Sequence, residues 1–179
     1  MPEVLPGRRS IVRAAAWTVP VVATSLTVPA YAASATGQLS FNSFTAFGGA
    51  YSGSQPTQLT SETTISSLWV AAGPTLTALT LTVSYPLARI QAVDPVGTPK
   101  TGQPPQNGWV FSSRRSTSAE RIFVFTWTGS VPSSGSTGSL SYSVSLVPGK
   151  SGTLAVTSLA TSPGFTQAGP LTTKVSVTS

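Results

Sequence analysis

Alternation of apolar and hydroxylated residues constrains the fold of this chain more than any other feature. It runs through Thr75–Tyr85, Leu140–Leu146 and Leu171–Val177, where apolar residues occupy nearly every second position. Successive side chains of a β-strand point to opposite faces, so this pattern is typical of strands with one buried and one solvated face. Leu76 and Ala78 have the opposite parity within their segment, which indicates a register shift near Ala78. The alternation therefore predicts antiparallel β-sheets.

Several other segments have β-like composition and are separated by turn residues. We predict further strands beginning at Leu39, over Thr64–Ala71, Trp109–Phe111 and Arg121–Thr128, and around Leu154 and Val156. The uneven spacing of Phe41, Phe44 and Phe47 indicates a bulge or bend in the first of these strands. Eight or nine short strands in one domain favour an all-β sandwich of two antiparallel sheets, with a Greek-key barrel as the alternative.

The connections are predicted from proline, glycine and polar residues. We expect loops at Tyr51–Gln58 and Asp94–Gly108, and a further short strand within Leu87–Val93. We expect Ser112–Ala119 to be a polar turn between two apolar strands, so that the arginines within it are exposed. No convincing helix and no internal repeat is found.

The first 32 residues have the organisation of an export signal. An arginine-rich segment, Arg8-Arg9-Ser10-Ile11-Val12-Arg13, precedes the uncharged apolar stretch Ala14–Ala30. Two small residues that are two positions apart, Ala30 and Ala32, lie at the end of this region. This order resembles the twin-arginine signal peptides of bacteria, whose core is two arginines, any residue and two apolar residues. A membrane anchor and an ordinary N-terminal helix are the alternatives. The stretch contains two prolines and is shorter than the roughly 20 apolar residues of a spanning helix, and it lacks the apolar stripe of a helix in a folded domain.

The signal defines the expected domain organisation. We predict cleavage after Ala32, with cleavage after Ala35 as the alternative. Residues 1–32 are then the signal peptide, residues 33–37 a linker and residues 38–179 a single β-sandwich domain. The twin-arginine translocase is the expected partner during export. The mature protein is expected to be secreted or associated with the cell wall, without a stable transmembrane anchor.

Two short sequence segments, together with the arginine pair, are the basis of a second resemblance. Phe125-Thr126-Trp127-Thr128-Gly129 and Leu140–Leu146 resemble segments of small exported immunoglobulin-like β-domain proteins of actinobacteria. The resemblance implies an immunoglobulin-like antiparallel sandwich with Greek-key connections and an extracytoplasmic location, and it implies no activity. The cysteine pair of antibody domains is absent, because the chain has no cysteine.

The composition excludes most catalytic centres. With no histidine and no cysteine, the chain cannot form a Ser-His-Asp triad, a Cys-His pair or a thiolate metal site. After residue 32 the carboxylates are Glu62, Asp94 and Glu120, and no pattern brings two of them together as glycoside hydrolysis requires. Gly149-Lys150-Ser151 is similar to the end of a phosphate-binding loop, but the glycine required at position 144 is a valine. We therefore expect no enzymatic activity, no cofactor and no bound metal.

Aromatic residues around two of the predicted strands are candidate binding residues. Phe123, Phe125 and Trp127 share one face of their strand with Arg121, and Trp109 lies in the neighbouring segment. If this face points inward, the aromatic rings are core; if it points outward, they form a platform suited to sugar rings. Burial of large aromatic side chains is the more common arrangement.

Arginines provide the second candidate. Arg114 and Arg115 lie in the predicted turn, and Arg121 and Arg89 are expected nearby. Such residues are usually solvated loop charges, and the alternative is contact with an anionic wall polymer or the surface of another protein. No nucleic-acid partner is expected.

From these features we expect an exported, non-catalytic β-sandwich that acts as a cell-surface or secreted interaction module. A carbohydrate-binding domain with exposed aromatics is one alternative, and an enzyme of unfamiliar type is another.

Overall fold

The computed structural model describes residues 37–53, 55–69, 75–132 and 134–177. Arg8, Arg9, Ala30 and Ala32 lie outside these residues, as does the predicted cleavage site. The described residues form these strands: β1 Gly37–Gly48, β2 Tyr51–Ser52, β3 Gln55–Pro56, β4 Gln58–Trp69, β5 Leu76–Pro86, β6 Trp109–Ser116, β7 Glu120–Val131, β8 Leu140–Ser145, β9 Gly152–Thr161, β10 Phe165–Thr166 and β11 Ala168–Val177. β1 thus begins at the last residue of the predicted linker.

Two sheets form an all-β sandwich, as predicted. One has the order β10-β1-β4-β8 and the other the order β11-β9-β5-β7-β6, while β2 and β3 pair as a separate hairpin. The strand order matches that of an immunoglobulin-like sandwich. Strands A, B and E of that fold correspond to β1, β4 and β8, and strands C, F and G correspond to β5, β9 and β11. Strand pairing is antiparallel apart from the short pairing of β1 with β10.

The alternation seen in the sequence corresponds to the burial of the strands. Leu79, Leu81, Val83 and Tyr85 of β5 are buried, and the threonines and serine between them are only partly buried. The side chains from both sheets form one hydrophobic core. The expected irregularities are confirmed, because the strand register shifts between Leu76 and Ala78 in β5 and between Phe41 and Ser43 in β1.

Three predicted connections are corrected. The predicted loop Tyr51–Gln58 contains the β2–β3 hairpin. Leu87–Arg89 is a 3-10 turn, so the short strand expected within Leu87–Val93 is wrong; Pro86 precedes the turn with its φ at −57°. β6 continues to Ser116, so the connection to β7 is only Thr117–Ala119 and both Arg114 and Arg115 belong to a strand.

The loop after the 3-10 turn covers one side of the sandwich. Its backbone pairs with β8 at Val96, with the residue that follows β8 at Ile90, and with β6 at Lys100 and Gln106. β8 and β6 are the edge strands of the two sheets on this side. Because unpaired edge strands are sites of unwanted association, this loop protects both edges at once.

Three hydroxyl groups join the sheets inside the core. The hydroxyl of Tyr85 in β5 lies 3.0 Å from that of Ser61 in β4 and 2.9 Å from that of Tyr142 in β8. All three side chains are buried. Burial raises the pKa of Tyr85 to about 12, and it raises the pKa of Tyr142 well above its ordinary value. The hydroxyl chain therefore holds the sheets together in its neutral form.

Candidate functional site

The aromatic face of β7 points into the core. Phe123 and Phe125 are fully buried, Trp127 is 4% exposed and Trp109 of β6 is 0% exposed. The interpretation of these rings as core is confirmed. The alternative of an exposed aromatic platform is wrong for them, and Trp109 and Trp127, candidates from the sequence, offer no ring face to a ligand.

Both indoles donate hydrogen bonds to backbone carbonyls at the same end of the sandwich. Trp109 Nε1 donates to the carbonyl of Gly138 at 2.7 Å, and Trp127 Nε1 donates to that of Asn107 at 3.0 Å. Gly108 has a φ of 84°, and a Cβ there would lie 2.5 Å from Trp127 Nε1. We call Asn107, Gly108, Trp109, Trp127 and Gly138 the indole end. Its geometry serves packing and loop anchoring.

Arg114 and Arg115 lie on opposite faces of β6. A bulge between Phe111 and Ser113 changes the parity of the strand, so Arg114 lies opposite the core residue Phe123 and Arg115 lies opposite Ile122 on the outer face. The side chain of Arg114 is only 29% exposed, whereas Arg115 is exposed. The expectation that both arginines are exposed holds for Arg115 and is wrong for Arg114.

Arg114 is held by an acidic residue of the long loop. Its Nη1 lies 3.3 Å from Asp94 Oδ1, and the Nζ of Lys100 donates to Asp94 Oδ2 at 2.9 Å. The hydrogen bond from Lys100, with the charges of Lys100 and Arg114, keeps the pKa of Asp94 below its ordinary value. This group connects the loop to β6, and the carboxylate of Asp94 offsets part of the positive charge of Arg114 and Lys100.

Four cationic residues collect at the opposite end from the indoles. Arg115 and Arg121 flank the β6–β7 turn, Arg89 follows the end of β5, and Lys150 lies in the turn before β9. Pro86 pairs with Glu120 and Ser116 with Arg121, so these strand ends meet at one end of the five-stranded sheet. We call Arg89, Arg115, Arg121 and Lys150 the basic end. Glu120 is the acidic residue among these strand ends, and no ion pair is formed with it by the described residues.

The four cations differ in how firmly they are held. Arg89 Nη2 donates to the carbonyls of Lys150 and Gly152 at 2.9 and 3.3 Å, and Arg121 Nη1 donates to the hydroxyl of Ser116. In both arginines the Nε is buried and has no hydrogen-bond partner. The side chains of Arg115 and Lys150 are exposed and make no hydrogen bond or ion pair with the described residues. Two held and two free cations therefore face solvent with little opposing charge.

A shallow groove lies beside the basic end, between the β2–β3 hairpin and the turn that joins β8 to β9. Its volume is about 260 Å³, and it is lined by Ser52, Pro56, Thr57, Gln91, Leu146 and Pro148. Sequence reasoning missed all of these residues and considered Lys150 only as part of a phosphate-binding motif. Isolated residues in three separate segments carry no recognisable spacing, so no sequence signal could have identified the groove.

Comparisons with known proteins add no relative. No protein-family model matches the chain, and no curated protein sequence matches it. Within the described residues, no three acidic, histidine or cysteine side chains are grouped so that they could hold a metal ion. In that same part of the chain, no helix is long and apolar enough to cross a membrane.

Proposed function

We propose that the mature domain is an exported, non-catalytic interaction module that binds an anionic polymer of the cell wall through its basic end. The observation that carries this proposal is the collection of Arg89, Arg115, Arg121 and Lys150 around converging strand ends that contain a single carboxylate, Glu120. Clustered charge of one sign raises the local concentration of an oppositely charged partner. A polyanion can contact several of these cations at once.

The test uses two adjacent arginines as a matched pair. Arg115→Ser removes an unpaired, exposed guanidinium, and Arg114→Ser removes the one that is paired with Asp94. Both substitutions change the net charge equally. We expect Arg115→Ser to weaken retention of the mature domain on purified cell wall clearly more than Arg114→Ser does.

Salt provides the second arm of this test. Exposed charges are screened over roughly 10 Å at 0.1 M ionic strength, so moderate salt should reduce the retention of the wild type and narrow the difference between the variants. Retention that is insensitive to salt and equal for both variants would overturn the proposal.

Export is the part of the proposal that depends on the sequence alone. The planar donor fork of arginine is not reproduced by lysine, so replacing Arg8 and Arg9 together by lysine should leave the precursor in the cytoplasm. Mass spectrometry of the exported protein should give an N-terminus at Ala33. Undiminished export of the double variant would argue against the twin-arginine route, and an exported form that retains residues 1–32 would indicate an anchor.

A carbohydrate-binding role through the aromatic residues of β6 and β7 is not proposed, because those rings are buried.

A further inference from the structure

The groove beside the basic end has the dimensions of a site for one small chemical unit. Its volume of about 260 Å³ lies slightly below the roughly 300–1,000 Å³ of pockets that enclose a whole drug-sized ligand. It is lined by the hairpin, the loop after the 3-10 turn and the β8–β9 turn, and it is partly open to solvent. A single repeat unit of a longer chain could therefore enter the groove while the rest of the chain continues outside.

The groove wall combines apolar surface with free hydrogen-bonding atoms. Pro56, Leu146 and Pro148 supply the apolar surface. Gln91 Nε2 donates to the carbonyl of Leu146 at 2.7 Å, which fixes the carboxamide, and its Oε1 has no partner among the described residues. The hydroxyl of Ser52 is likewise free of described partners. These groups match a unit that presents both C–H and hydroxyl groups, such as a sugar or a polyol.

Two cations lie close in sequence to lining residues of the groove, and the described residues that line it include no acidic one. Lys150 follows the lining residue Pro148 by two positions; it is exposed, and its ammonium group has no partner among the described residues. Arg89 precedes Gln91 by two positions and holds the turn in place through the carbonyls of Lys150 and Gly152. Because Nη2 of Arg89 is already engaged, Lys150 is the cation that remains free to contact an anion as a point charge.

We propose that this groove binds an uncharged, hydroxylated unit of an anionic polymer, while Lys150 contacts the neighbouring anionic group. The inference rests on the proposed function and extends it by naming the chemistry of the repeat unit. The anionic group can be a phosphodiester or a carboxylate, since both accept hydrogen bonds from an ammonium group. In either case, the neutral unit gives the site its selectivity over a polymer that carries charge alone.

The experiment compares three probes on the mature domain at low salt: poly(glycerol phosphate), hyaluronate, in which uncharged sugar units alternate with carboxylated ones, and poly-glutamate. The first two carry hydroxylated units and distinguish the sources of the anion, and the third lacks hydroxyl groups. We expect tighter binding of at least one hydroxylated polymer than of poly-glutamate. Ser52→Phe fills the groove without changing charge and should weaken that binding by about tenfold while leaving poly-glutamate binding nearly unchanged.

Two controls separate the groove from general effects. Val93→Phe adds a ring at another exposed position and should leave all three affinities unchanged. Lys150→Gln should weaken binding of all three polymers, and Lys100→Gln, which removes a cation already paired with Asp94, should weaken it much less. Circular dichroism of each variant checks that the β-rich fold is kept.

The outcomes distinguish this inference from the proposed function. If the polymers bind but show no preference for hydroxylated units and no response to Ser52→Phe, the groove is not a subsite and the basic end alone binds polyanions. If none of the three polymers binds the wild type even at low salt, the proposed function fails and the groove proposal fails with it.

Discussion

The two ends of the sandwich use their polar groups in opposite ways. At the indole end, both Trp Nε1 groups are directed at backbone carbonyls, and the carboxamide of Asn107 donates to the carbonyl of Ser139 at 3.0 Å. At the basic end, the side chains of Arg115 and Lys150 have no partner among the described residues, and Arg89 and Arg121 each keep a buried Nε without a hydrogen bond to those residues.

This difference separates groups that stabilise the fold from groups that remain available. Buried polar groups in folded proteins are almost always hydrogen-bonded, because an unmade bond costs free energy. The indole end follows that rule, so its residues are explained by stability alone. Unpaired cations at the basic end contribute little to stability, so stability does not account for them, and the proposed function gives them a role in binding. The following predictions test this division, from the largest effect on stability to the smallest.

The largest effect is expected from Trp109. Replacing it by alanine removes a fully buried indole and its hydrogen bond to Gly138. We expect the free energy of unfolding to fall by about 3–5 kcal/mol, the usual range for such truncations. Urea or thermal denaturation followed by circular dichroism measures it.

Tyr51→Ala is the control for that variant, because Tyr51 is 60% exposed next to the groove at the other end. Its loss should cost far less than that of Trp109. Equal losses for the two variants would remove the distinction between the ends.

A smaller effect is expected from Tyr85, which pairs with Arg121 near the basic end and has a buried side chain. Tyr85→Phe removes the hydroxyl that contacts both Ser61 and Tyr142. Because these buried groups then lose a partner, we expect a loss of about 1–3 kcal/mol in the free energy of unfolding. Tyr51→Phe removes an exposed phenolic hydroxyl and serves as the control. A loss no greater than that of the control would mean that the hydroxyl chain does not hold the sheets together.

The same hydroxyl chain makes stability depend on alkaline pH. The folded-state pKa of Tyr85 is about 12, above the ordinary value of about 10, so the folded state favours the neutral phenol. Its contribution to stability is complete below pH 10 and is lost as the pH rises toward 12. We expect unfolding in this interval, together with tyrosinate absorbance appearing as the fold is lost. The double variant Tyr85→Phe, Tyr142→Phe should lose less stability than the wild type between pH 10 and pH 12. If both proteins lost stability equally over this range, the pH dependence could not be assigned to these two tyrosines.

Much of the fold could be predicted from the sequence because the strands alternate. In β5 and β8 the period-two pattern records burial directly, and even the register shift near Ala78 is visible as a change of parity. The period of the apolar pattern, and whether apolar residues stand at odd or even positions, depend only on residues that are neighbours in the sequence. Both can therefore be determined without the structure.

Less of the candidate site could be predicted, because it depends on contacts between distant segments. The bulge between Phe111 and Ser113 places two adjacent arginines on opposite faces, and nothing in Ser112-Ser113-Arg114-Arg115 marks it. Asp94 reaches Arg114 only because the long loop pairs with both edge strands. The groove likewise combines the hairpin, the start of the loop and the β8–β9 turn.

The next prediction concerns Arg114. Arg114→Ser leaves Asp94 with Lys100 as its remaining ionic partner and weakens the connection between the loop and β6. Since the side chains of Arg114 and Asp94 are both partly exposed, we expect the free energy of unfolding to fall by less than about 1 kcal/mol. Hydrogen exchange should become faster in residues 94–101, where the backbone of Thr101 donates to Phe111. Unchanged exchange there would show that the ion pair does not hold the loop.

The smallest effect on stability is expected from Arg115. Its guanidinium is exposed and makes no ion pair or hydrogen bond with the described residues, so Arg115→Ser should change the free energy of unfolding by no more than about 0.5 kcal/mol. The proposed binding role predicts the opposite order for retention on purified cell wall, where Arg115→Ser should have the larger effect of the two. Stability and retention should therefore be measured for both variants. If a substitution acted by general damage to the fold, the same variant would show the larger loss of both quantities. If Arg115→Ser destabilised the domain as much as Arg114→Ser, any loss of retention could be ascribed to folding, and the division between the two ends would not hold.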